Sequence, residues 1–248
     1  MTANDGSTIR VQDQQPRKRV VTDLPASGMF AKWPIIGFMM FVFGGLVFGG
    51  LTLNLMNHGP LLDWDRSIAN TLPAIALKGP PFLQTFMDAG YYIGDQVIAV
   101  LSILLGLFLF FKRLWKELAM MVVGLVGASA LFLFLSNLIA RPRPMTQIWI
   151  VLTIPGFPSG HAVTVVVFYG LMAYFLVPKI ASAFWKVIVI AAAVLIMAFV
   201  GFSRIFTGGH YLTDILAGYA VGIAWSGIAY TLIEVLFQKI RSRHVKKE

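Results

Sequence analysis

Cysteine is absent from this 248-residue chain, which excludes a disulfide framework and any thiolate metal site. Charge is scarce as well: Asp, Glu, Lys and Arg supply 12% of the residues, against 58% hydrophobic. Soluble domains carry about 25% charged residues, so a water-soluble globule is excluded. Acid is the rarer sign, 11 residues against 20 basic, for a net charge of +9. Such a surplus can mark a nucleic-acid binder, but here the cations cluster at the ends of apolar runs, and that class is rejected.

What the chain does contain is six apolar stretches: Trp33–Met56, Tyr91–Phe111, Leu118–Ala140, His161–Val177, Val187–Phe202 and Leu212–Phe237. A bilayer core of ~30 Å takes about 20 helical residues to cross, so the fourth and fifth runs need their flanks. An all-α integral membrane protein with six transmembrane helices is predicted. Between the first two runs, Leu61, Leu62, Trp64, Ile68 and Leu72 recur at roughly helical spacing, which predicts a short interfacial helix. Gly44-Gly45 and Gly49-Gly50, inside the first run, read as close helix contacts.

Residues 1–31 are polar, contain Arg17-Lys18-Arg19, and read as a disordered basic tail. Residues 32–238 form the membrane domain, and 239–248 a second basic tail that anchors to the inner leaflet. The first apolar run is too long for a signal-peptide core and has no clear small-residue cleavage site, so it is expected to stay in place. With the N-terminus inside, 15 of the 20 Lys and Arg fall on the cytoplasmic side, as positive charges prefer. The remaining five, Arg66, Lys78, Arg141, Arg143 and Arg204, would then lie outside.

Three of those arginines share their face with two histidines. Arg141 and Arg143 follow the third run in "ARPRP", His161 opens the fourth in "PSGH", and Arg204 and His210 follow the fifth in "SRIFTGGHYLTD". Each has an ordinary reading by itself. Proline stops helices and arginine suits a helix C-terminus; Ser159-Gly160 makes an N-cap; His210 and Asp214 make a surface i,i+4 pair. Together they supply cations for phosphate oxygens, a helix start that binds anions, and an imidazole that a carboxylate would orient and hold toward its protonated form. That set suits phosphoryl transfer by electrostatic stabilisation and a histidine nucleophile. Without a carboxylate cluster, two separated histidines make a poor metal site, so neither metal nor cofactor is expected. His58 and His244 are assigned no role, and Asp95 is read as a helix-cap interaction.

Pro158-Ser159-Gly160-His161 and Ser203-Arg204-x5-His210-x3-Asp214 resemble, complete and in order, the second and third motifs of the type 2 phosphatidic acid phosphatase (PAP2) superfamily of membrane lipid phosphatases. The first motif, KxxxxxxRP, matches at Arg143-Pro144, but Ser136 stands where its lysine would be. The resemblance implies the six-helix layout and a metal-independent dephosphorylation of a lipid phosphate or diphosphate. His210 would form a phosphohistidine, Asp214 would orient it, and His161 would protonate the leaving oxygen. Arg143, Arg204 and the Ser159-Gly160 backbone would hold the phosphate, with Ser136 and Arg141 as further candidates. Undecaprenyl diphosphate, phosphatidylglycerol phosphate, phosphatidic acid and a lipid A-like phosphate are all compatible substrates. A phosphotransferase with a non-water acceptor, and a non-catalytic lipid-binding or transport protein, are the alternatives. The expected setting is a bacterial cytoplasmic membrane with both termini cytoplasmic and the site on the periplasmic or extracellular side.

Overall fold

The computed structural model describes residues 33–144 and 154–245. They form eight α-helices: α1 (Trp33–Met56), α2 (Leu61–Lys78), α3 (Pro81–Tyr92), α4 (Ile98–Phe111), α5 (Trp115–Ile139), α6 (Gly160–Leu176), α7 (Ala183–Phe206) and α8 (Leu212–Val245). A π-helical turn, Ile93–Val97, joins α3 to α4 without a break, so these two make one span over Pro81–Phe111. With it, six segments among the described residues are long and apolar enough to cross a bilayer, and α2 is the added helix after the first. The chain is an all-α integral membrane protein, as the apolar runs predict. The expected tail over 1–31 lies outside the described residues.

The helix ends differ from the hydropathy runs for local reasons. The second span begins at Pro81, ten residues before the apolar run at Tyr91. Proline at the first helical position is pre-set for helix and forgoes no hydrogen bond, while Gln84, Thr85 and Asp88 depress the hydropathy there. At the other end of the chain, α8 continues to Val245, through residues that composition assigns to the basic tail. Lys239, Arg241 and Arg243 are good helix formers, and cations suit a helix C-terminus.

Large apolar side chains point outward: Leu46, Phe111 and Leu138 are 72, 76 and 68% exposed. Such surface is a liability in water and is lipid contact in a bilayer. In lipid, association depends on close approach rather than on the hydrophobic effect. A side chain at Gly37, Gly44 or Gly227 would collide with backbone across the α1–α8 contact. Gly45, Gly49 and Gly50 face open space, so of the four glycines read as contacts only Gly44 is one. Gly218 and Gly222 seat α8 against α6, the former over the Ser159 carbonyl and Ala162. This contact places Asp214, one turn before Gly218, beside the start of α6. Gly90 and Gly94 press α3 and the π-turn against Ser203 and Val200 of α7. With Phe132 of α5 against Gly160 at the start of α6, these contacts gather the ends of α5 and α7, the starts of α6 and α8, and Tyr91 of α3 at one end of the bundle.

Candidate active site

The two arginines of "ARPRP" have different partners. Helix α5 ends at Ala140, a non-glycine residue in the left-handed region with φ 52°, so the chain turns sharply before Arg141. The Arg141 guanidinium is buried. Its Nη1 donates to Thr213 Oγ1 at 2.8 Å and Asp214 Oδ1 at 2.6 Å, and its Nη2 donates to Asp65 Oδ2 at 2.8 Å. The same plane lies 4.1 Å above the Tyr211 ring. Arg143 is half-buried, and donates to the carbonyls of Ile154 at 3.1 Å and Gly209 at 3.0 Å. Its Nη1 also lies 2.8 Å from His210 Nε2.

Ser136 is fully buried, and its hydroxyl donates to the Pro155 carbonyl at 3.1 Å. The serine in the lysine position therefore holds the loop that carries Gly156. Ser159 caps α6: its Oγ accepts from the Ala162 N–H at 3.5 Å, while its own N–H donates to the Asp214 carbonyl at 3.0 Å. That N–H, expected in the anion cradle, is thus committed to α8. Gly160 and His161 supply the first-turn N–H groups that have no partner inside the helix.

His210 is buried between a carbonyl and a cation. Its Nδ1 lies 2.9 Å from the Gly156 carbonyl oxygen and 3.4 Å from Asp214 Oδ2. A carbonyl only accepts, so Nδ1 carries the proton and Nε2 offers a lone pair, to which Arg143 donates. Asp214 is held in turn by Arg141 at Oδ1 and by the Tyr211 N–H at Oδ2, 2.9 Å away. Burial pushes the His210 imidazole down to about 4, with the Arg143 and Arg204 cations adding to it and Asp214 opposing. Asp214 does pull the ring toward its protonated form, as the spacing suggests, but desolvation outweighs the carboxylate, so that the ring is a neutral base near neutral pH. In a titration of ring-labelled histidines by NMR, the signal lost in His210→Ala is expected to have a midpoint near 4. A midpoint at or above the ordinary 6.5 would refute this environment.

The His161 ring stands across from His210, with centroids 6.5 Å apart, and against Tyr91 at 5.3 Å. Its Nε2 is buried without a hydrogen-bond partner, as is Arg204 Nε. The Arg204 guanidinium lies 4.8 Å above the Tyr91 ring. Buried polar atoms are rarely left unsatisfied, and two of them beside His210 mark a place for a polar ligand. Among the described residues, no three His, Asp or Glu side chains group as metal ligands.

Every candidate from the sequence lies in this end of the bundle, but Ser136 and Arg141 are turned to protein partners. Tyr91, Asp65, Tyr211 and Thr213 were not singled out. Asp65 alone had a legible signal. It shares the buried face of α2 with Ala69, Pro73 and Ala76, at spacing that calls for an apolar residue.

Fold and site together define a membrane-embedded enzyme built to act on a phosphate at one end of a helical bundle. Residues 118–237, which run from Leu118 in α5 to Phe237 in α8, match the model of the PAP2 superfamily. Phosphatidylglycerophosphatase B of Bacillus subtilis (strain 168) is 30% identical over 173 residues, 68% of this chain and 82% of that protein. The crystal structure of a transmembrane PAP2-type phosphatidylglycerolphosphate phosphatase from Bacillus subtilis superimposes with a TM-score of 0.65 at 26% identity, covering 84% of this chain and 98% of the other. Aquifex aeolicus LpxE shares the fold, with a TM-score of 0.52 at 21% identity over 68% of this chain and 93% of its own. The chain belongs to the PAP2 superfamily of membrane lipid phosphatases.

Proposed function

We propose that this chain hydrolyses a lipid phosphate or diphosphate without a metal ion, through a phosphohistidine on His210, at the outer face of the membrane. The observation that carries the reading is the facing pair, a neutral His210 Nε2 and a buried, unpartnered His161 Nε2, with Arg143 and Arg204 beside them. Arg143 shifts its hydrogen bond from Nε2 to an entering phosphate oxygen. The freed lone pair attacks phosphorus, the bond from phosphorus to the lipid oxygen breaks, and His161 delivers a proton to that oxygen. Water then attacks the phosphohistidine while His161 takes its proton, releasing inorganic phosphate and restoring His210. Arg204, Arg143 and the N–H groups of Gly160 and His161 stabilise the charge on the equatorial oxygens. Asp214 orients the ring in both steps.

The names of the similar proteins favour phosphatidylglycerol phosphate as the first substrate to try. Purified protein in detergent is expected to release inorganic phosphate from at least one of phosphatidylglycerol phosphate, phosphatidic acid and undecaprenyl diphosphate, with equal rates in EDTA and in magnesium. Loss of activity in chelator with recovery on magnesium would reject the mechanism, and inactivity across the panel would reject the enzyme reading. The asymmetry of basic residues supports the face. Single cysteines placed in this cysteine-free chain beside His210 and near the C-terminus are expected to react with impermeant reagents from opposite sides. Labelling beside His210 from the cytoplasm alone would invert the orientation.

A further inference from the structure

Asp65 is a carboxylate inside a packing face. It is 1% exposed, on an amphipathic helix that none of the three motifs includes. A buried carboxylate is costly unless it is paired and fully hydrogen-bonded. Here both conditions hold. Oδ2 accepts from Arg141 Nη2 at 2.8 Å and from the Thr213 hydroxyl, and Oδ1 accepts from the Thr213 N–H at 3.0 Å in the first turn of α8. So one acid on α2 caps the start of α8 and anchors the guanidinium that grips Asp214. Leu61 to Lys78 is otherwise a connecting helix, whose other acid, Asp63, pairs with exposed Arg66 at the surface.

We infer that Asp65 is a positioning residue for the reaction: it acts through Arg141 and Asp214 on the His210 ring. The inference rests on the reading of His210 as nucleophile. Arg141 spans two carboxylates with two nitrogens of one rigid plane, Nη1 to Asp214 and Nη2 to Asp65. With Asp65 in place the plane cannot rotate about its bond to Asp214, and the Tyr211 ring closes one of its faces. The Asp214 carboxylate is thereby locked with Oδ1 toward Arg141 and Oδ2 toward His210 Nδ1. Charge points the same way. Two carboxylates and one guanidinium carry a net −1 beside a ring that becomes cationic as Nε2 bonds to phosphorus. That charge acts through Asp214: Asp65 offsets the Arg141 cation, which would otherwise neutralise the carboxylate that faces Nδ1. Asp65 touches no reacting atom, so its effect belongs in turnover and not in substrate binding.

The test measures kcat and KM for phosphate release from the best lipid substrate, with thermal unfolding in detergent alongside. Asp65→Asn, nearly isosteric, is expected to lower kcat about 100-fold, the scale of a misplaced catalytic group, with KM within about threefold of wild type. Asp65→Glu keeps the charge and should recover part of that loss. The decisive comparison uses Asp214→Asn as background. If Asp65 works through Asp214, adding Asp65→Asn to Asp214→Asn costs less than about threefold further, because contributions along one path are not additive. Unchanged kcat in Asp65→Asn overturns the inference, as does a change confined to KM. A full second 100-fold loss on the Asp214→Asn background overturns it too, since it would show an independent structural effect. If Asp65→Asn does not fold, Thr213→Val removes the hydroxyl between the same groups and must show the smaller kcat loss with the same non-additivity, or the inference fails. Failure of the functional reading itself would be visible separately, as phosphate release that survives His210→Ala.

Discussion

His210→Ala is expected to leave no measurable turnover, a loss of at least about 10⁴-fold, because it removes the atom that bonds to phosphorus. The substitution also empties a site bounded by the Gly156 carbonyl and Arg143 Nη1, so the fold should survive. Asp214→Asn is expected to fall about 10³- to 10⁴-fold. Its amide cannot hold the Arg141 ion pair, and an NH₂ turned toward Nδ1 would favour the wrong tautomer. Acid-labile label from a phosphate-labelled lipid, present in wild type and absent in His210→Ala, checks the intermediate directly. Near-normal turnover in His210→Ala would end the nucleophile assignment.

The second large effect separates two arginines that are two residues apart. Arg141→Met leaves Asp65 and Asp214 buried with no cation, and breaking a buried pair from one side costs about 3–5 kcal/mol. A marked fall in unfolding temperature is expected, together with loss of activity. Arg143→Met gives up bonds to the carbonyls of Ile154 and Gly209 and to His210 Nε2, at a half-buried place. It should unfold close to wild type while losing about 10²- to 10³-fold in kcat, as when one oxyanion donor is removed. Unfolding scans on both variants decide it. Equal destabilisation of the two, or a stable Arg141→Met, would contradict the division of labour.

That division was not legible in "ARPRP". The motif names Arg143, and a neighbouring arginine reads as a second phosphate ligand or as a helix end. What commits Arg141 elsewhere is Asp65, 76 residues away in sequence, and pairings at that range leave no trace in local spacing. Ser136 is similar. As a serine in a lysine position it reads as a missing phosphate contact, yet its hydroxyl reaches Pro155, 19 residues on. The His210 and Asp214 pairing, by contrast, is four residues long and survives folding. The pull of the carboxylate on the ring has the sign the spacing suggests, but the larger, opposite effect of burial was not legible, because burial of the ring depends on every surrounding helix.

The sequence by itself determined that the chain is a six-span helical membrane protein, and that His161, Arg204, His210 and Asp214 belong to one site. Hydrophobic run length is set by bilayer thickness, and catalytic geometry carried on single turns is written in short spacings, so both are local properties. The tertiary structure alone decided which arginine faces the His210 ring and which is bound between two buried carboxylates, that α2 reaches Asp214 through Arg141, and that burial pushes the His210 imidazole down. Those depend on which helices touch, which the glycines at 218 and 222 settle for α6 and α8. They depend also on how much water that contact excludes, and in a dry, close-packed interior the energy of a charge is governed by its partners in space.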